Sequence, residues 1–393
     1  MAHTADGRTV FVRGSLPGEL VDAVVDSTTR GGRVVFATAT VVSEPSDHRV
    51  EPPCGYAGRC GGCDFQHVEL GYQRRLKEQV IIDQLSRIGR IAEVGGVPLP
   101  EAVTLAPADD EDGLRWRTRV SVAVTDGRAG FHEHRSDRVV PVSDCLTAVD
   151  GLTPVFAREW PGASAVTASV GEPGGYLVEP PVPGHDPDAA GELQSRAWVR
   201  HSALGREWRV NTDGFWQAHV AAPELLVAAV RRALRPQPTD ALVDLYSGVG
   251  LFAGALAGEV GSVDAVEGDP RAVSMARRNL HDLPSVAIHQ APVGSWLTER
   301  LSRSADEEVP PVDLVVLDPP RVGAQAAVVE AIAELAPRRI AYVACDVAAL
   351  ARDLRHFGDL GWRLDTLACL DIFPMTAHVE AIAGLVPTQV TGP

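Results

Sequence analysis

The chain has 393 residues, of which 45% are hydrophobic and 22% are charged, a composition typical of a soluble protein with about two to four domains. Its formal charge of −16 excludes a protein that is basic over its whole surface, so a nucleic-acid partner requires a local basic region. No apolar run approaches the roughly 18 residues that span a bilayer, and no signal peptide stands at the start, which together predict a cytosolic protein without a membrane segment.

Short apolar runs separated by glycine and proline predict a small β-barrel at the N-terminus. The predicted strands are Arg8–Arg13, Glu19–Val25 and Val34–Val42. The segment GRTVFVRGSLPGELVDAVV, followed by PSDHRVEPPC, resembles a TRAM domain whose barrel begins one strand late. We assign this domain to residues 1–44 and expect a nucleic-acid platform. A β module without a role in RNA binding is the alternative.

Four of the six cysteines have a spacing typical of ligands for one metal centre. Cys54, Cys60 and Cys63 form a C-x5-C-x2-C pattern, and Cys145 follows far along the chain. Four thiolates suit zinc or an iron–sulfur cluster. Because zinc sites usually contain two C-x2-C arms and this sequence has one, we predict a [4Fe-4S] cluster, with zinc as the alternative. A turn with three free structural cysteines is the remaining interpretation.

The middle of the chain, residues 45–210, is predicted to be a mixed α+β domain that carries this metal centre. Apolar residues at helical spacing predict a basic amphipathic helix over Glu69–Ile91, whose charged face is most simply a solvated surface. Five prolines among glycines predict a loop or linker over residues 171–192.

One strand of this middle domain is a candidate for the local basic region. In LRWRTRVSVAV, strict alternation places Arg115, Arg117 and Arg119 on one face of a strand, where an RNA backbone would bind. Surface ion pairs with the acidic residues at 110–112 are an equally weighted alternative.

From residue 211 onward, strands and helices alternate. The predicted strands are Leu242–Tyr246, Val263–Glu267, Val286–His289, Leu314–Leu317, Ile340–Ala344, Thr366–Leu370 and Val379–Leu385. The predicted helices are Leu251–Leu256, Pro270–Leu280, Gln325–Leu335 and Ala348–His356. This pattern predicts a doubly wound α/β domain over residues 211–393, with ligands beyond the carboxyl ends of the strands.

The first of these strands leads into a glycine turn in ALVDLYSGVGLF. Gly248 and Gly250 form a G-x-G that lacks both the third glycine of a dinucleotide fingerprint and a phosphate-binding lysine, which disfavours NAD and ATP. Glu267 ends the next strand nineteen residues after Gly248, where an acid binds the ribose hydroxyls of a nucleoside. Together these features look like the S-adenosylmethionine site of a class I, Rossmann-like methyltransferase.

Two later strands end in reactive side chains. VVLDPPRVG places Asp318, and IAYVACDVAALARDL places Cys345, at the ligand edge of the sheet. A D-P-P motif also occurs in enzymes that methylate base amines, but Arg321 stands where those enzymes usually carry an aromatic residue. A buried structural role is the alternative for Cys345. Glu380 follows His378 by two residues, which predicts that both lie on one face of a strand.

Four ordered motifs, DLYSGVGLF, DPPRVG, YVACDVAALARDL and DIFPMTAHVE, resemble those of the RNA uracil-5-methyltransferase family. The TRAM-like start and the four cysteines extend the resemblance and favour its cluster-bearing, ribosomal-RNA branch. The resemblance implies S-adenosylmethionine-dependent methylation of carbon-5 of a uridine, with 23S ribosomal RNA as the expected substrate. A transfer-RNA uracil-5-methyltransferase and a non-catalytic RNA-binding or assembly factor on the same fold are the alternatives.

The resemblance also implies the roles of individual residues. Cys345 would be the nucleophile that adds to carbon-6 of uracil, and Glu380 the general base that removes the carbon-5 proton. The residues expected to bind S-adenosylmethionine are Gln217, Tyr246, Gly248, Gly250, Glu267 and Asp318.

Several positions depart from the family pattern. Asp346 and Val347 stand where Asn-Pro usually follows the nucleophile, so that a charge replaces a neutral amide. His219 replaces an asparagine, Met375 a glutamine and Ser247 a cysteine. None of these changes affects the predicted nucleophile or base, so we expect an active enzyme.

Overall fold

The computed structural model describes residues 2–4, 6–29, 31–108, 112–171, 174–178, 194–195, 198–303 and 310–388, with backbone alone over 174–178 and 194–195. The N-terminal strands are β1 (Ala2–His3), β2 (Thr9–Arg13), β3 (Leu20–Thr28) and β4 (Val34–Glu44). They form one sheet in the order β1-β2-β4-β3. The three predicted strands are confirmed as β2, β3 and β4, whereas the two-residue β1 was not predicted. The assignment of residues 1–44 as a TRAM-like domain stays a prediction.

A long helix and a short hairpin follow. Their bounds are α1 (Leu70–Arg87), β5 (Glu93–Val94), β6 (Val97–Pro98), α2 (Leu99–Ala102) and β7 (Leu105–Pro107). The predicted helix is confirmed, although it ends at Arg87 rather than at Ile91. Its buried residues recur every four positions, at Gln73, Lys77, Ile81 and Leu85, so one face of the helix is covered along its length.

The central region contains a six-stranded sheet. Its strands are β8 (Arg119–Thr125), β9 (Arg128–His132), β10 (Val139–Pro141), β11 (Ala165–Gly171), β12 (Gly174–Val178) and β13 (Gln194–Ser195), and α3 (Thr153–Ala157) follows a 3₁₀ turn at Asp150–Leu152. The strand order is β10-β9-β8-β11-β12-β13. The loop predicted over 171–192 is wrong at Gly171, which ends β11, and at β12, whereas residues 172–173 and 179–192 lie outside the described residues.

A hairpin links this region to the C-terminal half. It consists of β14 (Trp198–Ala203) and β15 (Arg206–Asn211), and its buried Val199, Trp208 and Val210 belong to a hydrophobic core that includes Leu226 of the following helix. The hairpin therefore packs on the C-terminal sheet. The predicted domain limits of 1–44, 45–210 and 211–393 stay a prediction.

The C-terminal half is the doubly wound α/β domain that the alternating pattern predicted. Its elements are α4 (Ala222–Leu234), β16 (Ala241–Leu245), α5 (Leu251–Leu256), β17 (Ser262–Glu267), α6 (Pro270–Asn279), β18 (Val286–Gln290), α7 (Val293–Arg303), β19 (Leu314–Leu317), α8 (Ala326–Glu334), β20 (Arg339–Ala344), α9 (Val347–Asp359), β21 (Trp362–Asp371) and β22 (Glu380–Pro387). The order of the eight-stranded sheet is β18-β17-β16-β19-β20-β22-β21-β7. All strands run parallel to their neighbours except β22, which is antiparallel to both β20 and β21.

Two hydrophobic cores cover the two faces of this sheet. One includes α1, α8 and α9, and the other includes the β14–β15 hairpin, α4 and α5. Both faces of the central strands are therefore buried, which explains why those strands are almost continuously apolar. Within the described parts of the chain, no helix has both the length and the apolar character needed to cross a bilayer.

Candidate active site

A cavity of about 530 Å³ lies at the carboxyl ends of β16, β17, β19 and β20. This is the edge at which open α/β sheets bind their ligands. Both predicted catalytic residues and five of the six predicted cofactor-binding residues line it, namely Cys345, Glu380, Gln217, Tyr246, Gly248, Glu267 and Asp318. The structure therefore brings together side chains that are separated by more than a hundred residues in the sequence.

The glycine turn after β16 is built from left-handed backbone. Tyr246, Gly248 and Gly250 have φ angles of 60°, 57° and 93°. Gly250, the predicted cofactor residue that does not line the cavity, precedes α5, and a Cβ there would lie 2.6 Å from a methyl carbon of Leu280. Its glycine is thus required by close packing as well as by its φ angle.

Two carboxylates fix this turn. Glu267 accepts hydrogen bonds from the backbone N–H of Gly248 at 2.8 Å and of Asp269 at 2.7 Å. Asp244 accepts one from the N–H of Ala253 at 2.8 Å and so anchors the start of α5, while complete burial raises the pKa of its carboxyl to about 8.

Cys345 and Glu380 lie near each other at the ends of adjacent strands. β20 ends at Ala344, which pairs with Ala381 of β22, so Cys345 directly follows β20 and Glu380 is the first residue of β22. Both residues line the cavity, and the charge of Glu380 acts on the Cys345 thiol. The prediction that His378 shares a strand face with Glu380 is wrong, because β22 begins at Glu380 and His378 belongs to the preceding turn.

The pKa values of three acidic groups in the cavity are raised, which favours their neutral, protonated forms. Burial, together with the nearby Glu380 and Asp318 carboxylates, raises the pKa of the Cys345 thiol. Burial and the charge of Asp318 raise the pKa of Glu380 well above its usual value, and burial raises that of Asp318 to about 7. The guanidinium of Arg321 acts in the opposite direction on both Cys345 and Glu380.

The local structure accommodates two of the departures from the family pattern. Asp346 is the N-cap of α9, and its Oδ1 accepts a hydrogen bond from the N–H of Ala349 at 2.8 Å. Asparagine and aspartate cap helices about equally well, so the exchange preserves this role. His219 is buried, stacks on Trp116 with ring centroids 5.6 Å apart, and accepts a hydrogen bond at Nδ1 from the N–H of Ala221 just before α4.

The predicted arginine face does not form. Arg119 is the first residue of β8, whereas Arg115 has a left-handed φ of 53° and lies outside the strand, so the alternation breaks. The Arg115 guanidinium pairs with Asp144 at 2.6 Å. Arg117 stacks on the ring of Trp116 at 4.9 Å, and Arg119 donates to the carbonyl oxygen of Thr212 at 2.8 Å. Each arginine is therefore engaged internally; a role of these residues in RNA binding stays a prediction.

The four predicted metal ligands line a second, smaller cavity. Cys54, Cys60, Cys63 and Cys145 converge there from two loops that are far apart in the sequence. Burial raises the pKa of the Cys60 thiol and raises that of Cys63 to about 12. Among the residues that the structure describes, no three His, Cys, Asp or Glu side chains are arranged to hold a metal ion. The nature of the centre stays a prediction.

The structure adds residues to the active cavity that the motifs did not single out. Asn211, Trp216 and Phe373 also line it. Trp216 directly precedes Gln217, a predicted cofactor residue, and Phe373 lies within the motif DIFPMTAHVE, so their positions in the sequence were a usable signal. Asn211 had no such signal, because only the folded hairpin brings the end of β15 to the cavity.

Comparison with known proteins agrees with this geometry. The family described as tRNA (Uracil-5-)-methyltransferase matches residues 202–387. An RNA methyltransferase of Streptomyces coelicolor described as uncharacterized is 42% identical, over 98% of this chain and 90% of its own. The 23S rRNA (uracil(1939)-C(5))-methyltransferase RlmD of Pseudomonas fluorescens is 33% identical, over 96% and 89%. The crystal structure of Pyrococcus abyssi tRNA (uracil-54, C5)-methyltransferase with S-adenosyl-L-homocysteine has the same fold, with a TM-score of 0.70, 21% identity and 98% coverage of both chains.

Proposed function

The chain belongs to the RNA uracil-5-methyltransferase family, and on that premise we propose that it transfers the methyl group of S-adenosylmethionine to carbon-5 of a uridine in 23S ribosomal RNA. The observation that carries the proposal is that Cys345 and Glu380, at the ends of two adjacent strands, line the cavity that five of the six predicted cofactor residues also line. The 33% identity to a relative that acts on 23S ribosomal RNA favours this substrate over transfer RNA.

The glycine turn and the carboxylates at the strand ends fit S-adenosylmethionine. Glu267 lies where an acid binds ribose hydroxyls, and Gly248 lets the backbone approach a nucleoside closely. Gln217 Nε2 lies 3.5 Å from Asp318 Oδ2, and the two side chains form a polar wall suited to the charged end of the cofactor. When bound, the cofactor supplies an electrophilic methyl group on a positively charged sulfur.

Carbon-5 of uracil is too weak a nucleophile to attack that methyl group unaided. A thiolate of Cys345 that adds to carbon-6 converts the ring into an enolate with electron density at carbon-5. After methyl transfer, Glu380 removes the proton from carbon-5, the ring double bond re-forms, and the bond between carbon-6 and sulfur breaks to release the thiolate.

The shifted pKa values suit these roles. A carboxylate whose pKa is raised toward the working pH is a stronger base, and Glu380 is shifted in that direction. The Cys345 thiol must lose its proton before it can react, and the positive charge of Arg321 favours the thiolate. The target uridine must also leave its stack to reach Cys345, at a cost of about a few kcal/mol, so unpaired loops are the favoured substrates.

We further propose that Cys54, Cys60, Cys63 and Cys145 hold a [4Fe-4S] cluster, with zinc as the alternative. Their convergence on one cavity supports a shared centre, and so does Gln66, which also lines the cavity and donates from Nε2 to the sulfur of Cys63 at 3.5 Å. The methylation transfers no electrons, so the centre has a structural or RNA-positioning role. Elemental analysis and visible absorption distinguish the two metals: zinc without iron would exclude the cluster and leave the proposed methylation untouched.

The decisive experiment is a covalent trap. Purified protein, S-adenosylmethionine and RNA that contains 5-fluorouracil should form an adduct that survives denaturation, because fluorine replaces the proton that Glu380 removes. Cys345→Ala should abolish this adduct, whereas Cys369→Ala, at a buried position on β21, should retain it. An undiminished adduct in the Cys345→Ala protein would rule out the mechanism.

The substrate is identified by mapping 5-methyluridine in total RNA from cells with and without the protein. Loss of one or more 5-methyluridines from 23S ribosomal RNA is the expected result. Loss from transfer RNA would reassign the substrate, and an unchanged pattern would favour a non-catalytic RNA-binding factor.

A further inference from the structure

The turn that leads into Glu380 is held from outside by the loop that carries three of the four cysteines. The backbone N–H groups of Asp64 and Phe65 both donate to the carbonyl oxygen of Met375, at 2.9 and 3.0 Å. The carboxylate of Asp64 also accepts from the N–H of Ala377 at 3.3 Å. Because Asp64 directly follows Cys63, these contacts begin one residue from a predicted metal ligand.

Gln73 of α1 joins the same two segments with its side-chain amide. Its Oε1 accepts from the N–H of Met375 at 3.0 Å, while its Nε2 donates to the carbonyl oxygens of Phe65 at 3.1 Å and Val68 at 2.9 Å. Gln73 is 0% exposed, so water cannot replace these bonds if the side chain is lost. One buried amide therefore bridges the cysteine loop and the turn.

The backbone of the turn depends on these external contacts. Met375 has a left-handed φ of 64°, a conformation that is strained for a residue other than glycine. Such a conformation persists where several contacts with the surrounding structure hold the backbone in place. Here the surroundings are Gln73 and the loop after Cys63, and Glu380 follows Met375 by five residues.

We propose that Gln73 is a positioning residue for the general base, which it places by joining the four-cysteine loop to the turn before Glu380. This inference rests on the proposed function. In the last chemical step, the proton of carbon-5 moves to the Glu380 carboxylate and its bonding pair forms the double bond between carbon-5 and carbon-6. The pair of the carbon-6–sulfur bond leaves on the sulfur of Cys345. A displaced Glu380 slows this step and leaves thiolate addition and methyl transfer intact.

The test compares Gln73→Leu with Gln84→Leu, the same substitution about three turns further along α1. With ordinary RNA, we expect kcat of the Gln73→Leu enzyme to fall about 10- to 100-fold, since small displacements of a reacting group cost rates of that order. The covalent RNA–protein complex should accumulate on denaturing gels. With 5-fluorouracil RNA, which needs no proton removal, the rate of adduct formation should match that of the wild type. Gln84→Leu should behave as wild type in both assays.

Hydrogen exchange gives a readout that is independent of activity. Amides of residues 372–379 should exchange faster in the holoprotein of Gln73→Leu than in the wild type, and those of β19 should not change. If Gln73→Leu does not fold, Asp64→Ala removes the hydrogen bond to the N–H of Ala377 and should slow the same step to a smaller extent.

Two results would overturn the inference: unchanged turnover, or turnover and 5-fluorouracil adduct formation lost in parallel. Failure of the proposed function itself looks different, because the wild-type protein would then form no adduct.

Discussion

At the scale of single residues, the cavity contains three acidic groups, Asp318, Cys345 and Glu380, whose negative charges would repel one another. Burial, Glu380 and Asp318 raise the pKa of the Cys345 thiol, and Arg321 lowers it. The thiol and the Glu380 carboxyl must both be ionised for the proposed reaction, and the pKa of each is raised. We therefore expect deprotonation of these two groups to limit the proposed reaction.

The pH profile of single-turnover methylation tests this balance. Because both pKa values are raised, we expect the rate to increase as the pH rises through neutrality into the alkaline range. Arg321→Met removes the positive charge that lowers both pKa values, so both should rise further and the increase in rate should shift to higher pH. Arg321→Lys keeps a positive charge and should keep the wild-type profile. A profile that falls with rising pH, or that is the same in Arg321→Met and wild type, would contradict this assignment.

Residues of the candidate site could be predicted from the sequence where a motif marks the end of a strand. Glu267, Asp318 and Cys345 lie at or directly after the carboxyl ends of three predicted strands, and the parallel sheet alone brings such ends together. The arginines show where this reasoning fails. A left-handed residue at Arg115 breaks the strand, and that conformation is stabilised by an ion pair with Asp144, a partner 29 residues away.

At the scale of elements, α9 begins two residues after Cys345, the proposed nucleophile, and depends on its cap. Asp346 Oδ1 satisfies the N–H of Ala349, one of the amides that the first turn of a helix leaves unpaired. The cap thereby fixes the direction in which the chain leaves β20, and with it the position of Cys345.

Substitutions of Asp346 separate its capping role from its charge. Asp346→Asn should change the free energy of unfolding by only a few tenths of a kcal/mol, because asparagine caps equally well, and should leave the methylation rate near wild type. Asp346→Ala should lower that free energy by about 1 kcal/mol in urea unfolding. Equal losses in the two variants would show that the cap is not the source of stability.

The alternating pattern of strands and helices was sufficient to predict most of the C-terminal domain. All seven predicted strands and all four predicted helices are present, and Leu251–Leu256 and Leu314–Leu317 match to the residue. The helices α4 and α7 were missed, although a proline at the start of α4 is a usable signal. The edge strand β7 has three residues and pairs with β21, more than 250 residues later, so no local pattern announces it.

At the scale of the whole molecule, α1 is packed on the C-terminal sheet although the central sheet lies between them in the sequence. Lys77, the single lysine of the chain, is 2% exposed and donates to Asp371 at 2.6 Å and to the carbonyl oxygen of Phe373 at 3.1 Å. Arg74 reaches the other oxygen of Asp371 at 3.1 Å. These contacts join α1 to the end of β21, close to the turn that precedes Glu380.

Removal of Lys77 should therefore cost far more than removal of a surface cation from the same helix. Lys77→Met leaves the fully buried carboxylate of Asp371 with Arg74 as its remaining cation on α1, and we expect a loss of about 3 kcal/mol in the free energy of unfolding. Arg87→Met removes an exposed pair with Asp83 four residues earlier and should cost about 0.3–0.5 kcal/mol. Urea unfolding of both variants measures the difference. Without its lysine, the buried carboxylate of Asp371 must either stay charged inside the protein or take up a proton, and both destabilise the folded state. Similar small losses in the two variants would therefore mean that the buried pair contributes little to holding α1 on the sheet.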